Sequence, residues 1–103
     1  MRDAAIQRFE FTFEAVWKLV REHLAQREGI ICTSPKGCFR DAFRVGLIDE
    51  EQTVTALEMV DDRNRTVHTY HEDVARAISD GLPRYRDLMR LIVDRIREPA
   101  RSP

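Results

Sequence analysis

The 103-residue sequence has no long apolar run, and no stretch approaches the roughly 18 apolar residues needed to cross a bilayer. Its first residues, MRDAAIQRFEF, are charged and amphipathic, which is not the pattern of a signal peptide. Net charge is also nearly absent, because 17 basic and 18 acidic side chains leave a formal charge of −1. Overall charge therefore gives the chain no general attraction to nucleic acid or to anionic membranes.

Cysteine and lysine are both scarce. Cys32 and Cys38 lie six positions apart and show no metal-ligand pattern, so we interpret them as reduced, partly buried thiols of a cytoplasmic protein. Only 2 lysines stand beside 15 arginines. A GC-rich genome would explain this bias, and so would a need for planar guanidinium groups that bind phosphate.

The length allows one domain, which we place at residues 1–98, and the remaining residues 99–103 have the composition of a disordered tail. A chain this short buries only about two-thirds of its unfolded surface. Oligomerisation would therefore add stability.

The first predicted helix spans residues 2–28 and has two apolar stripes. The main stripe follows alternating steps of three and four residues and comprises Ile6, Phe9, Phe13, Val16 and Val20. The second stripe, at Ala4, Phe11 and Ala15, lies roughly opposite Phe13, since each residue turns a helix by about 100°. A helix that is apolar on two sides must be covered on two sides, and another subunit is one source of the second cover.

Two shorter helices are predicted next. Ser34-Pro35 opens the second helix, because serine caps and proline suits the first helical position, and Gly46 ends it. The run Asp49-Glu50-Glu51-Gln52 has the form of a capping box that opens the third helix. The predicted inner faces are Phe39, Ala42 and Phe43 in the second helix, and Val54, Leu57 and Val60 in the third.

The last predicted helix starts near His71 or Glu72 and reaches about Arg97. Gly81-Leu82-Pro83 interrupts it, and we expect a kink rather than a stop, because the apolar stripe stays in phase across these residues. No alternating strand pattern appears anywhere in the chain. The sequence therefore predicts an all-α fold, an antiparallel, up-and-down helical bundle.

Polar residues gather where the third helix becomes weakest, in the segment RNRTVHTYHED at residues 63–73. Its threonines, valine, histidines and tyrosine are poor helix formers. On an ideal helix, His68 lies about 140° round from Arg63, whereas Tyr70 returns to within about 20° of it. Arg63 and His68 can therefore meet on one target only if the helix breaks between them, or if a second copy of the chain adds its own residues.

An arginine and a histidine suit the cleavage of RNA by attack of its 2′-hydroxyl on the neighbouring phosphate. Arginine stabilises negative charge on phosphate oxygens, and histidine moves a proton near neutral pH. Asn64 would orient the histidine or bind the phosphate, and Tyr70 could stack on a base, donate a proton or be modified. Two plain alternatives remain: His68 is a buried polar residue, and Arg63 pairs with Asp61 or Asp62 on the surface.

Other polar groups carry weaker signals. His68, His71 and Glu72 have helical spacing but lack the third firm ligand of a zinc site. His23 fits a solvated surface residue. Arginines along the last helix could guide RNA, but acidic residues are interspersed among them, as in an ordinary solvated face. The arginines are Arg86, Arg90 and Arg97, and the acids are Asp87, Asp94 and Glu98.

Three segments together resemble the nucleotidyltransferase substrate-binding protein family, a branch of the HEPN superfamily. They are RDAAIQRFEFTFEAVWK at residues 2–18, SPKGCFRDAFRVGLI at 34–48 and RNRTVHTYHED at 63–73. The resemblance extends from Arg2 to about Ile96, and its most specific parts are the first segment and RNRTVHTY. Family members usually carry a further helix before RDAAIQRFEF. We expect the surface that this helix would cover, which includes the stripe around Phe11, to be open or covered by a partner chain.

The resemblance implies an antiparallel helical bundle that forms homodimers, with the motif clefts at the dimer interface. It also implies a partner encoded nearby, a minimal nucleotidyltransferase. The family motif is Arg-x4-His-x-Tyr, and Arg63, His68 and Tyr70 match it position by position. Asn64 fits the polar residue that often follows the arginine.

The resemblance leaves two roles open. In the first, the chain is a ribonuclease toxin that needs no metal, Arg63 and His68 are its catalytic pair, and the transferase is an antitoxin that AMPylates Tyr70. In the second, the chain is a non-catalytic subunit that presents substrate to the transferase. A third interpretation, a structural helical dimer without an active site, is disfavoured by the polar cluster at a weak helix point. We expect no cofactor, and no DNA or membrane partner.

Overall fold

A computed structural model of the chain describes residues 4–68 and 72–98, and these residues form helices and connections without a strand. We number the α-helices in chain order: α1 Ala4–His23, α2 Pro35–Arg44, α3 Glu50–His68 and α4 Glu72–Arg97. The all-α prediction is confirmed. Within the same residues, no helix is long and apolar enough to span a membrane.

The first helix follows its predicted stripe. All five residues of the main stripe are buried, and so are Trp17 and Leu24. The helix continues beyond His23 as a π-helical turn, Leu24–Glu28, and Gly29 ends it with a φ of 67° that glycine adopts without strain. The second stripe faces outward, since Phe11 is 82% exposed.

The connection after α1 carries the chain back along that helix. Phe39, near the start of α2, packs against Phe13 in the middle of α1, with ring centroids 6.4 Å apart. Residues 29–34 therefore reverse along the second half of α1 before α2 begins. Ser34 then caps α2 by accepting a hydrogen bond from the Gly37 backbone N–H at 3.1 Å, as predicted.

The prediction of reduced cysteines is wrong, because Cys32 and Cys38 form a disulfide with their Cα atoms 5.2 Å apart. Cys32 stands two residues before the cap of α2 and Cys38 lies in its first turn, so the turn into the helix brings the two side chains together. A spacing of six residues does not by itself indicate this turn. Reduced thiols therefore no longer support a cytoplasmic location, which stays a prediction.

The capping box of α3 is confirmed, and two of the predicted inner-face residues are wrong. The Asp49 carboxylate accepts from the Gln52 N–H at 2.7 Å, and the Gln52 side chain accepts from the Asp49 N–H at 3.0 Å. Phe43 and Val54 are 44% and 53% exposed. Val60 is buried as predicted, and Ala56 and Met59 are buried with it on the inner face of α3.

The fourth helix runs through Gly81-Leu82-Pro83 without a stop, as expected. Its buried stripe includes Ile78, Tyr85, Met89 and Ile92. Gly81 has a packing role, because a Cβ atom at this position would lie 3.0 Å from the ring of Tyr85. The residue that weakens the helix therefore makes room for the largest side chain of its core.

The helices form a bundle in which α3 runs antiparallel to its neighbours. Its residues 63 and 66 meet residues 14 and 10 of α1, and its residues 52 and 58 meet residues 95 and 84 of α4. By contrast, α1 and α4 run in the same direction, since Ala5 and Leu82 line one end of their groove and Val16 and Val93 the other.

The short α2 divides the bundle into two ends. Its first turn reaches α3 at Asp61, where Lys36 forms an ion pair at 2.7 Å, and it does not extend further along α3. We call the part that contains α2, residues 15–61 and 87–97, the four-helix end. The remainder, residues 4–14, 62–68 and 72–86, is the three-helix end. The described part of the candidate segment, residues 63–68 and 72–73, lies in the three-helix end.

Candidate active site

Arg63 is held on the face of the three-helix end that α2 leaves uncovered. Its Nη2 donates to Glu14 Oε2 of α1 at 2.6 Å, and its Nη1 lies 3.4 Å from Asn64 Oδ1. The guanidinium carbon lies 5.3 Å from the centroid of the Phe13 ring, within the range of a cation–π contact. The Arg63 side chain is only 26% exposed. The candidate phosphate-binding group is therefore fixed in position while one side stays accessible.

Thr66 provides a second link between the same two helices. It is 2% exposed, and its hydroxyl lies 2.6 Å from Glu10 Oε2 and 2.7 Å from the Arg63 carbonyl oxygen. The hydroxyl thereby satisfies its hydrogen bonding inside the helix and connects the motif to α1. This contact offsets the low helix propensity of threonine at this position.

The helix does not break between Arg63 and His68, because α3 is continuous from Glu50 to His68. One of the two ways in which these residues could meet is therefore removed. Along an unbroken helix they diverge by about 140°, which leaves a second copy of the chain as the way to bring an arginine and a histidine together. The side chain of His68 and the whole of Tyr70 and His71 lie outside the described residues.

The surface pairing considered for Arg63 is wrong. Asp61 pairs with Lys36 at 2.7 Å instead. Asp62 accepts from Arg65 at 3.4 Å and from the Tyr85 hydroxyl at 2.5 Å. The actual partner, Glu14, lies 49 positions away, so no local pattern could indicate it. The available signal was the pair Glu10 and Glu14, one helical turn apart on α1, but such pairs are common on solvated faces.

A polar cleft of about 500 Å³ separates α3 from α4 on the other side of the three-helix end. Tyr85, 1% exposed, donates to Asp62, and Arg84 bridges the Tyr85 hydroxyl and Glu58 at 3.5 Å and 3.0 Å. Burial, followed by the hydrogen bond to Asp62, raises the pKa of Tyr85 to about 12. Tyr85 is therefore a neutral donor that fixes Asp62, and it is poorly suited to proton transfer near neutral pH.

The arginines of α4 that could guide RNA are only partly brought together. Arg86 and Arg90 line the groove between α1 and α4, with Asp94 at its end, and Arg8 of α1 joins Arg86 on its rim. Arg97 lies at the last residue of α4 and does not line this groove. Asp94 therefore lies beside these arginines, as expected for an ordinary solvated face.

No three His, Cys, Asp or Glu side chains within residues 4–68 and 72–98 are placed to hold a metal ion. The zinc hypothesis for His68, His71 and Glu72 stays untested, because His71 and the side chain of His68 lie outside the described residues. His23, at the end of α1, is partly buried.

A family model described as nucleotidyltransferase substrate binding protein like matches residues 1–98. The chain belongs to this family. The match covers both ends of the bundle and includes every residue of the Arg-x4-His-x-Tyr motif. This match confirms the resemblance to the nucleotidyltransferase substrate-binding family that the sequence segments indicated.

Two known proteins are similar in sequence to this family member. A Haemophilus influenzae protein described as a probable ribonuclease HepT is 36% identical over 78 residues, which are 72% of this chain and 52% of that protein. The chain thus spans about half the length of this curated relative. A crystal structure of a protein from Thermus thermophilus is 53% identical, with a TM-score of 0.89, over 92% of this chain and 80% of that one. The second match supports the all-α bundle fold of this chain.

Proposed function

We propose that the chain is a HEPN toxin-like endoribonuclease that needs no metal and is paired with a minimal nucleotidyltransferase antitoxin. The observation that carries the proposal is the state of Arg63, which is oriented by Glu14 on the uncovered face of an unbroken helix that ends at His68. The description of the Haemophilus relative as a probable ribonuclease supports the same chemistry.

In this mechanism each group has one task. Arg63 binds the scissile phosphate and stabilises the charge that develops on its oxygens. His68 takes the proton of the attacking 2′-hydroxyl as a general base, and the leaving 5′-oxygen takes a proton from water, which gives a 2′,3′-cyclic phosphate and a 5′-hydroxyl. The RNA bond from phosphorus to the 5′-oxygen breaks as the bond from the 2′-oxygen forms. Asn64 sits beside the Arg63 guanidinium and supports its orientation.

The proposed active form is a homodimer with composite sites. Because α3 is unbroken between them, Arg63 of one subunit and His68 of the partner subunit would complete each site. Coexpression of Arg63→Ala and His68→Ala subunits tests this. In a composite arrangement, each mixed dimer regains one intact site, and RNA cleavage returns to roughly half of the wild-type rate per mixed dimer. Mixtures that stay inactive would contradict it.

Silencing by the transferase would act through Tyr70. An AMP group on this tyrosine would add bulk and negative charge next to the site and repel RNA phosphate. Mass spectrometry after incubation with the transferase and ATP is expected to find the adduct on wild type and not on Tyr70→Phe. Absence of any adduct on wild type would remove the silencing step while leaving the nuclease untouched.

The central test is expression of the chain alone and together with its neighbouring transferase. We expect growth arrest that disappears in His68→Ala and is relieved by the transferase. Purified wild type is expected to cleave RNA in EDTA, whereas Arg63→Ala and His68→Ala lose at least about a hundredfold of the rate, as general acid–base and charge-stabilising groups do.

The second candidate function is a non-catalytic subunit that presents substrate to the transferase. The description of the family favours it, since it names substrate binding. Harmless expression alone, intact RNA and a transferase rate that depends on the chain would support this candidate over the nuclease.

A further inference from the structure

We infer that Glu14 is the positioning residue of the site, holding the Arg63 guanidinium in the orientation that receives phosphate. This inference rests on the proposed function. The contact joins Nη2 of Arg63 to Oε2 of Glu14 at 2.6 Å, a short charge-assisted hydrogen bond between two helices. The two residues stand 49 positions apart, so the bond is a product of the fold rather than of local helix geometry.

The bond leaves most of the guanidinium free to act. An arginine has five N–H donors in a planar fork. Glu14 takes one donor of Nη2, and Asn64 lies near one of Nη1. Three N–H groups remain, and Phe13 supports one face of the plane. Phosphate can thus be bound by the remaining edge while the inner edge is held.

The Arg63 pair differs from the other arginine ion pairs among the described residues. The guanidinium-bearing side chains of Arg44, Arg65 and Arg84 are 75%, 53% and 54% exposed in their pairs, against 26% for Arg63. Their N–O distances are 3.2, 3.4 and 3.0 Å, against 2.6 Å. Exposed pairs of that kind contribute little and leave the side chain mobile. The Arg63 pair is the one built to fix a guanidinium.

Positioning has a catalytic value that does not depend on binding strength. A misplaced group about 1 Å from its productive position can cost on the order of a hundredfold in rate. Glu10 reinforces the arrangement one turn earlier on α1, because it holds Thr66 and thereby the backbone turn that carries Arg63. Glu14 acts on the side chain itself, and it is therefore the residue whose loss should appear in kcat.

A matched set of variants tests the assignment with a fluorescent RNA cleavage assay. Glu14→Ala is expected to lower kcat by about tenfold to a hundredfold while KM changes less than about twofold. Glu14→Gln keeps a hydrogen-bond acceptor in place and is expected to lose less. Lys18→Met is the control, because Lys18 forms the other ion pair of Glu14, at 3.5 Å on the exposed side. This variant should cleave RNA at the wild-type rate.

An activity-independent measurement separates this inference from the proposed function. In 15N NMR spectra of arginine side chains, Arg63 is expected to give a sharp Nε–H signal that shifts and broadens in Glu14→Ala but not in Lys18→Met. Normal kcat in a folded Glu14→Ala variant, with or without an altered signal, would overturn the positioning role and leave the nuclease standing. Wild type that never cleaves RNA overturns both, even where the NMR signal shows that Glu14 holds Arg63.

Discussion

The two ends of the bundle differ in where their polar contacts lie relative to the candidate motif. The four-helix end contains apolar packing, the disulfide, the two capped helix starts and polar contacts of Lys36 with Asp61 and of Arg95 with Gln52. The three-helix end also has an apolar centre, and its polar pairs hold the helix that carries the motif: Glu14 with Arg63, Glu10 with Thr66 and Tyr85 with Asp62. If the proposed function holds, stability and chemistry are divided between the two ends. Substitutions at the four-helix end should therefore lower stability, and those at the uncovered face should lower activity.

The largest expected effect is at the centre of the four-helix end. Phe39 is fully buried against Phe13, so Phe39→Ala should lower the free energy of unfolding by about 3–5 kcal/mol. Urea denaturation measures the loss, and Phe39→Leu provides a milder variant that stays folded. RNA cleavage per folded Phe39→Leu molecule should stay near wild type, because this smaller change leaves the Phe13 ring beside the Arg63 guanidinium. A folded Phe39→Leu protein with strongly reduced kcat would break the division between the two ends.

The disulfide should give the next largest effect. Cys38→Ser opens a short covalent loop at the start of α2, and the chain-entropy model gives a loss of about 2 kcal/mol. Denaturation of wild type with and without dithiothreitol is expected to reproduce the difference, while Cys38→Ser should not respond to the reductant. An unchanged unfolding midpoint in the serine variant would show that packing alone holds α2.

Tyr85 tests the polar rim of the three-helix end. Tyr85→Phe leaves the Asp62 carboxylate without its buried donor and should cost about 1–2 kcal/mol. The pKa of Tyr85 is raised to about 12 from its ordinary value near 10, so the folded state favours the neutral hydroxyl. Its contribution to stability is fully present below about pH 10 and is lost as the pH rises through about 12.

Denaturant titrations at pH 9 and pH 11.5 measure this dependence. Wild type should lose more stability between the two values than Tyr85→Phe does. Tyr70→Phe is the matched control because the chain has 2 tyrosines, and it should behave like wild type. Equal losses in wild type and Tyr85→Phe would mean that this hydroxyl does not govern the alkaline response.

The smallest effect is expected for an exposed ion pair. Arg65 is 53% exposed and lies 3.4 Å from Asp62, so Arg65→Met should change stability by less than about 1 kcal/mol. Arg65 is also two positions from Arg63, so its substitution shows whether any arginine in this segment matters for cleavage. A loss of rate as large as that of Arg63→Ala would remove the special status of Arg63.

Much of the fold was predictable because it follows local rules. The stripe of α1, the Ser34 cap and the reciprocal bonds of Asp49 and Gln52 each depend on residues a few positions apart. The exposure of Phe43 and Val54 was not predictable, because an apolar residue at the edge of a stripe faces inward or outward according to where the neighbouring helix lies. The disulfide was missed because it depends on the turn that brings Cys32 to Cys38.

The candidate site was predictable only in its motif. The positions of Arg63, Asn64, His68 and Tyr70 follow from the sequence, and the divergence of Arg63 and His68 follows from helix geometry. The contacts of Arg63 with Glu14, and of Thr66 with Glu10, cross between helices 49 and 56 positions apart. Such pairs depend on how the helices are placed, and periodicity within one helix carries no information about that.

Access to Arg63 depends on a segment that carries none of the candidate groups. Residues 29–34 set where α2 begins along α1, and extended chain advances by about 3.3 Å per residue. Two more residues in this connector would let α2 start more than one helical turn nearer to Ala4, where it would cover the Arg63 face. Connector length thus sets how much of the Arg63 face is open, and variants with altered loop length are expected to change access to Arg63 without any change to that side chain.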